Sequence, residues 1–164
     1  MILPDRLRPG LDIVFCGTAA GPVSAKRGLY YAGPGNRFWP LLAETGLTPR
    51  RLMPEDDHLL PDFGLGLTDL AKTASGTDAK IPAQAYDPEG LMQKINQYRP
   101  RALAFTSLTA ARLALGNAYL RPGLQPADAR LPGLEIWALP SPSGSARGHF
   151  QLGPWQALAD WRRG

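Results

Sequence analysis

The stretch Leu11-Asp12-Ile13-Val14-Phe15-Cys16, closing on Gly17-Thr18-Ala19-Ala20-Gly21, sets the reading of the whole chain. A short apolar run that stops at a glycine reads as a buried strand leading into a loop. Two other runs share this character, residues 102–105 (Ala-Leu-Ala-Phe) and residues 134–139, which close on Pro140. Helical patterns lie between and after them. Asn36 is placed to cap a helix over 37–44, with Phe38, Leu41 and Leu42 on one face and Gly46 as its stop. Asp87-Pro88-Glu89 opens a second, in which Leu91, Met92, Ile95 and Tyr98 recur at helical spacing until Pro100. Residues 108–115 form a third, stopped by Gly116, and residues 153–162 a terminal one that packs Trp155, Leu158 and Trp161.

Strands alternating with helices predict an α/β fold with a mostly parallel sheet. In such sheets ligands bind beyond the carboxyl ends of the strands. Three loops are expected to leave there, over residues 17–35, 68–77 and 140–149. The segment 63–70 is apolar but punctuated by glycine, and reads as a strand or a bend. Residues 52–62 read as a polar, partly helical connector, and 73–84 as a flexible loop.

Composition narrows the class. The 164 residues, 44% of them hydrophobic, suffice for one domain over 1–164 with one core. No apolar run approaches the ~20 residues of a membrane span. The opening residues MILPDRLRPG lack the pattern of a secretion signal, so a cytoplasmic protein is expected. The single cysteine, Cys16, excludes an internal disulfide and all-cysteine metal sites, and two histidines add too little for a zinc site. The net charge is +4, and fourteen of the eighteen basic residues are Arg. Residues 13–43, 90–127 and 136–159 contain no acid. Folded onto one face, their basic side chains would attract a polyanion; the plainer reading is solvated arginine.

Each candidate group has a plain reading beside a functional one. Gly17 to Gly21 follows a strand but lacks the Lys-Ser/Thr of a P-loop and the third glycine of a dinucleotide fingerprint. Tyr30 and Tyr31 sit in a glycine-flanked loop near basic residues, suited either to packing or to stacking on a base. Asp69 ends an apolar segment at the ligand edge, where an aspartate caps a turn or acts as a general base. The 140–149 loop, with two prolines, small residues and Arg147, is either a surface turn or an element that enters a DNA groove. His58 reads as a surface residue, and no Ser-His-Asp arrangement is indicated.

Taken together these segments resemble the mismatch-specific uracil/thymine DNA glycosylases of the uracil-DNA glycosylase superfamily. The resemblance rests on Val14-Phe15-Cys16-Gly17 with Gly21, Pro34-Gly35-Asn36-Arg37-Phe38-Trp39, Gly66-Leu67-Thr68-Asp69-Leu70, and Leu139-Pro140-Ser141-Pro142-Ser143-Gly144. It implies a three-layer α/β/α sandwich around a short, mostly parallel sheet, and a monomer that needs no cofactor or metal. The implied partner is DNA carrying uracil, or another mismatched or deaminated base, which is flipped out and excised by hydrolysis. Three departures matter. Ala19 stands where the family's first motif carries a water-positioning Asn, and Ser141 where Asn usually precedes Pro-Ser-Gly. Asp69 stands where familiar members carry Lys or Asn, and is read as a relocated catalytic group. The resemblance thus assigns catalysis to Asp69, with Thr18 and Ser141 as further candidates. It assigns the base pocket to Gly17, Thr18, Ala19, Tyr31 and Asn36, with Tyr31 at the position of a stacking Phe. It assigns DNA contact to Ser143, Gly144, Ser145, Ala146 and Arg147. The alternative is a protein of the same fold that binds lesions and cleaves them weakly or not at all.

Overall fold

The computed structural model describes residues 1–164, apart from the side chains of Arg147 and His149. In chain order the elements are β1 (Ile13–Gly17), α1 (Pro22–Arg27), α2 (Phe38–Thr45), β2 (Leu65–Asp69), α3 (Pro88–Tyr98), β3 (Ala102–Phe105), α4 (Leu108–Leu115), β4 (Gly123–Leu124), β5 (Glu135–Ala138) and α5 (Gly153–Arg163). Short 3-10 segments join them, the longest over Pro54–Phe63.

The sheet order is β2-β1-β3-β5-β4. Every pairing is parallel except β4 with β5. Successive side chains of a strand point to opposite faces, and both faces here are apolar. Ile13, Phe15, Leu65, Leu67, Ala104 and Trp137 pack on one side, against Phe38, Leu41 and Leu42 of α2 and Trp155 and Leu158 of α5. Val14, Cys16, Leu103, Phe105 and Ile136 pack on the other, against Leu91, Met92 and Ile95 of α3 and Ala110, Ala111 and Ala114 of α4. The result is the α/β/α sandwich expected from the sequence. Its central strands are buried on both sides, which is why β1 and β3 read as continuous apolar runs.

Two local expectations need correction, and the structure decides a third between its two readings. The 17–35 loop contains a helix, α1, of which only Ser24 is buried. A six-residue helix with one buried position leaves no apolar periodicity to detect. The glycine-punctuated segment is a true strand, β2, paired with β1 from Ile13↔Leu65 to Gly17↔Asp69. Its Gly66 lets the N-terminal segment close over the sheet edge, where Arg6 and Leu67 exchange main-chain hydrogen bonds; a Cβ at Gly66 would lie 2.8 Å from the Arg6 carbonyl oxygen. The 73–84 loop is tied down. It forms 3-10 turns at Asp78–Lys80 and Ala83–Ala85, and Gly76 N–H donates to the Ala20 carbonyl at 2.9 Å. β4, two residues long, gave no sequence signal. Among the described residues no helix is long and apolar enough to cross a membrane.

Candidate active site

The parallel register brings Gly17, Asp69 and Thr106 together at the carboxyl ends of β1, β2 and β3. A cavity of about 430 Å³ opens there. All three loops expected at this edge line it: Gly17 to Ser24, Tyr30, Tyr31, Gly33 and Pro34 from the first, with Asn36 just beyond it, Asp69, Gly76 and Thr77 from the second, and Ser141 to Ser145 from the third.

Asp69 is 6% exposed and lines this cavity. Burial pushes its carboxyl up to about 6. The Lys72 cation opposes that rise, the Asp5 carboxylate adds to it, and Lys94 and a hydrogen bond from the Gly17 N–H pull it back. Gly17 is required by this approach, since a Cβ on it would meet Asp69 Oδ1 at 2.8 Å, Tyr31 Oη at 3.3 Å and Thr106 Oγ1 at 3.4 Å. Three oxygens from three elements therefore surround one point.

Beside Asp69 lies an ionic cluster. Asp5 accepts from Lys72 Nζ at 2.8 Å, Lys94 Nζ at 2.6 Å and Thr68 Oγ1 at 2.7 Å. Burial works to raise the Asp5 carboxyl, but the bonds from Lys72, Lys94 and Thr68 hold it below its usual range. Lys72 and Lys94 are thus both engaged by one carboxylate.

The aromatic loop is fixed from several sides. Tyr30 N–H donates to Asp57 Oδ2 at 3.1 Å, Trp39 Nε1 donates to the Tyr30 carbonyl at 3.0 Å, and Ala32 N–H donates to Ser24 Oγ at 2.9 Å. Asp57 is itself buried and paired with Arg6 at 3.0 Å. Between these anchors Tyr31 takes φ +53°, a conformation that costs a non-glycine residue about 1 kcal/mol or more and persists only where neighbours enforce it. Its ring stacks on Phe38 with centroids 4.0 Å apart, and its Oη lies 2.9 Å from Thr106 Oγ1. Burial, reinforced by the Asp69 charge, raises the Tyr31 phenol well above its ordinary value, so it stays neutral. Tyr30 belongs to the core and gives its hydroxyl to the Pro4 carbonyl at 2.9 Å.

The other sequence candidates divide by what already holds them. Thr18 Oγ1 donates to Asp78 Oδ1 at 2.7 Å. Asn36 Oδ1 accepts the Phe38 N–H at 2.9 Å, but α2 begins one residue later than expected and its N-cap position is Arg37, which makes no side-chain cap bond; Asn36 also lines the cavity. Ser141 Oγ accepts from Ser143 N–H at 3.2 Å, and Ser143 and Ser145 hydroxyls lie 3.2 Å apart. Ala19 lines the cavity without a polar side chain. The 140–149 loop docks on the first loop, where Arg37 N–H donates to the Pro142 carbonyl at 2.8 Å and a Cβ at Gly144 would lie 2.9 Å from the Pro34 oxygen. Ala146 follows in a 3-10 turn, Gly144–His149. The expected contact by the Arg147 side chain lies outside the described residues.

Thr106 and Asp78 are among the cavity residues that escaped sequence reading. Thr106 directly follows the second apolar run, so the strand-end rule that found Asp69 also points to it. Asp78 sits in a polar loop with no pattern to mark it. Four basic residues of the acid-free stretches are held in ion pairs. Arg27 pairs with Glu55, Arg37 with Glu44, Lys94 with Asp5 and Arg101 with Asp12, acids that lie outside those stretches. His58 is exposed, as expected. Among the described residues no group of His, Cys, Asp and Glu side chains could hold a metal ion.

Comparison with known proteins agrees with this architecture. The sequence model of the family described as the Uracil DNA glycosylase superfamily matches residues 4–163. Among solved structures, one from Methanosarcina acetivorans, determined by solution NMR and assigned as a candidate uracil DNA glycosylase, superposes with a TM-score of 0.70. It is 20% identical, and the match covers 99% of this chain and 97% of that one. At that identity the likeness concerns the fold.

Proposed function

The chain belongs to the Uracil DNA glycosylase superfamily, and we propose that it is a monofunctional DNA glycosylase that hydrolyses the N-glycosidic bond of a base flipped from the duplex. Uracil is the first substrate to test, with mismatched thymine and deaminated purines next. The observation that carries this reading is Asp69, an enclosed carboxylate in the cavity at the strand ends, with its carboxyl pushed up to about 6.

A base inside the stack cannot present its glycosidic carbon, so the nucleotide must leave the helix and enter the cavity. As the bond breaks, the sugar gains positive charge and the base departs with the electron pair. Water then supplies the new bond to the sugar carbon. Asp69, when ionised, takes the proton that water loses, and its charge stabilises the developing cation. Main-chain N–H groups near Gly17 and Thr18 stabilise the departing anion, an effect worth a few kcal/mol per well-placed donor. The side chain of Ala19 has no part in handling water. Ser143 to Arg147, on the loop docked over the cavity rim, supply DNA contact. The engagement of Lys72 and Lys94 by Asp5 supports hydrolysis over a Schiff-base route.

The test is incubation with a panel of duplexes, each holding one altered base, followed by alkali. The reading requires strand scission after alkali and an intact strand before it. Tight lesion binding without scission supports the binding-only alternative. Borohydride should trap no covalent complex.

A further inference from the structure

A stacking role asks only for an aromatic ring at position 31, yet the structure fixes that side chain by its oxygen. One face of the ring is covered by Phe38 at 4.0 Å. The hydroxyl lies 2.9 Å from Thr106 Oγ1, whose own proton is directed to the Cys16 carbonyl at 3.4 Å. Either hydroxyl can donate across that contact; with the Thr106 proton on the Cys16 carbonyl, Tyr31 donates to Thr106 and keeps a lone pair as an acceptor. That oxygen and Asp69 Oδ1 face the same side of Gly17, at 3.3 Å and 2.8 Å from where a Cβ on that residue would lie. The strained backbone at φ +53° and the bonds on Tyr30 and Ala32 hold it there.

We propose that the Tyr31 hydroxyl is catalytic: its oxygen accepts one O–H of the attacking water while Asp69 takes the proton from the other. Water's oxygen forms the bond to the sugar carbon, the glycosidic pair leaves with the base, and one proton passes to Asp69. The second proton stays on the new sugar hydroxyl, released from Tyr31. No co-reactant is needed. A carboxylate alone fixes one O–H of a water and leaves it free to rotate; a second acceptor fixes its lone pair toward the sugar. Thr106 is the positioning residue, since it takes up the phenolic proton that would otherwise compete for Asp69.

This inference rests on the glycosylase reading and is tested beside it. The variants are Tyr31→Phe, Thr106→Val and the pair combined. Single-turnover excision is measured with enzyme in excess on whichever duplex the parent cleaves fastest. Binding is measured on the same duplex with a 2′-fluorinated, uncleavable nucleotide. Tyr31→Phe keeps the ring and its stacking. It should lower the rate about tenfold, the effect of one well-placed hydrogen bond, with binding within twofold of the parent. Thr106→Val should slow excision in the same direction, and the double variant should lose no more than Tyr31→Phe alone. Excision by Tyr31→Phe within twofold of the parent overturns the inference and leaves the glycosylase reading standing. So does a binding loss as large as the rate loss, which would make Tyr31 a shape element. A parent that excises no base from any duplex overturns both.

Discussion

Asp69→Asn keeps the shape of the side chain and removes its charge, and its effects on rate and on stability have opposite signs. As general base Asp69 must be ionised, so parent excision should fall about tenfold per pH unit below about pH 6. An amide cannot take a proton from water. The variant should lose roughly 10²–10⁴-fold in single-turnover rate, the usual contribution of a positioned acid–base group. For stability, the carboxyl keeps its proton in the folded chain up to about pH 6, against 3.8 for its ordinary value. Between those values the folded state holds the extra proton, so stability falls as pH rises through the window. The gap corresponds to about 3 kcal/mol once both states are ionised. Asn carries no charge to desolvate and can still accept the Gly17 N–H. At pH 8 the variant should therefore be more stable than the parent by up to about 3 kcal/mol, an advantage that shrinks toward zero near pH 4. Urea unfolding at the two pH values measures this. Excision by Asp69→Asn within threefold of the parent would refute the catalytic assignment. Equal stability of the two proteins at pH 8 would refute the burial argument.

Other perturbations have defined directions. Gly17→Ala places a methyl 2.8 Å from Asp69 Oδ1; it should displace the carboxylate and cut excision at least tenfold, at a stability cost of about 1–3 kcal/mol. Lys72→Met removes the cation that most opposes the raised Asp69 carboxyl, so the acid limb of the pH–rate profile should move to higher pH; movement to lower pH, or none, would show that Lys72 does not act on Asp69. Asp57→Ala removes the acceptor for Tyr30 N–H and the partner of Arg6; unfolding should show a loss of about 2–4 kcal/mol, with excision reduced because Tyr31 loses its anchor.

The sequence discloses this fold where burial leaves a period, and hides it elsewhere. β1 and β3 are enclosed on both faces and so appear as plain apolar runs. α3 and α4 carry side-chain caps, Asp87 accepting from Gly90 N–H and Ser107 from Ala110 N–H. β2 was ambiguous because Gly66 serves the approach of Arg6, a contact made 60 residues away in sequence. Asp69 was legible because it ends a strand; its proximity to Tyr31 was not, since that depends on a backbone twist enforced by Asp57 and Trp39 from other elements. The pairing of Arg27, Lys94 and Arg101 with distant acids was equally invisible, because those pairs follow the fold and not the order of residues.

The central claim is that this cavity hydrolyses a base from DNA. The most direct measurement is chromatographic detection of the free base released from duplexes holding uracil, mismatched thymine, hypoxanthine or xanthine, with parent and Asp69→Asn side by side. The account predicts stoichiometric free base and an alkali-labile, unbroken strand from at least one duplex with the parent, and a loss of roughly 10²–10⁴-fold in rate with the variant. Absence of free base from every duplex with folded parent protein would contradict it.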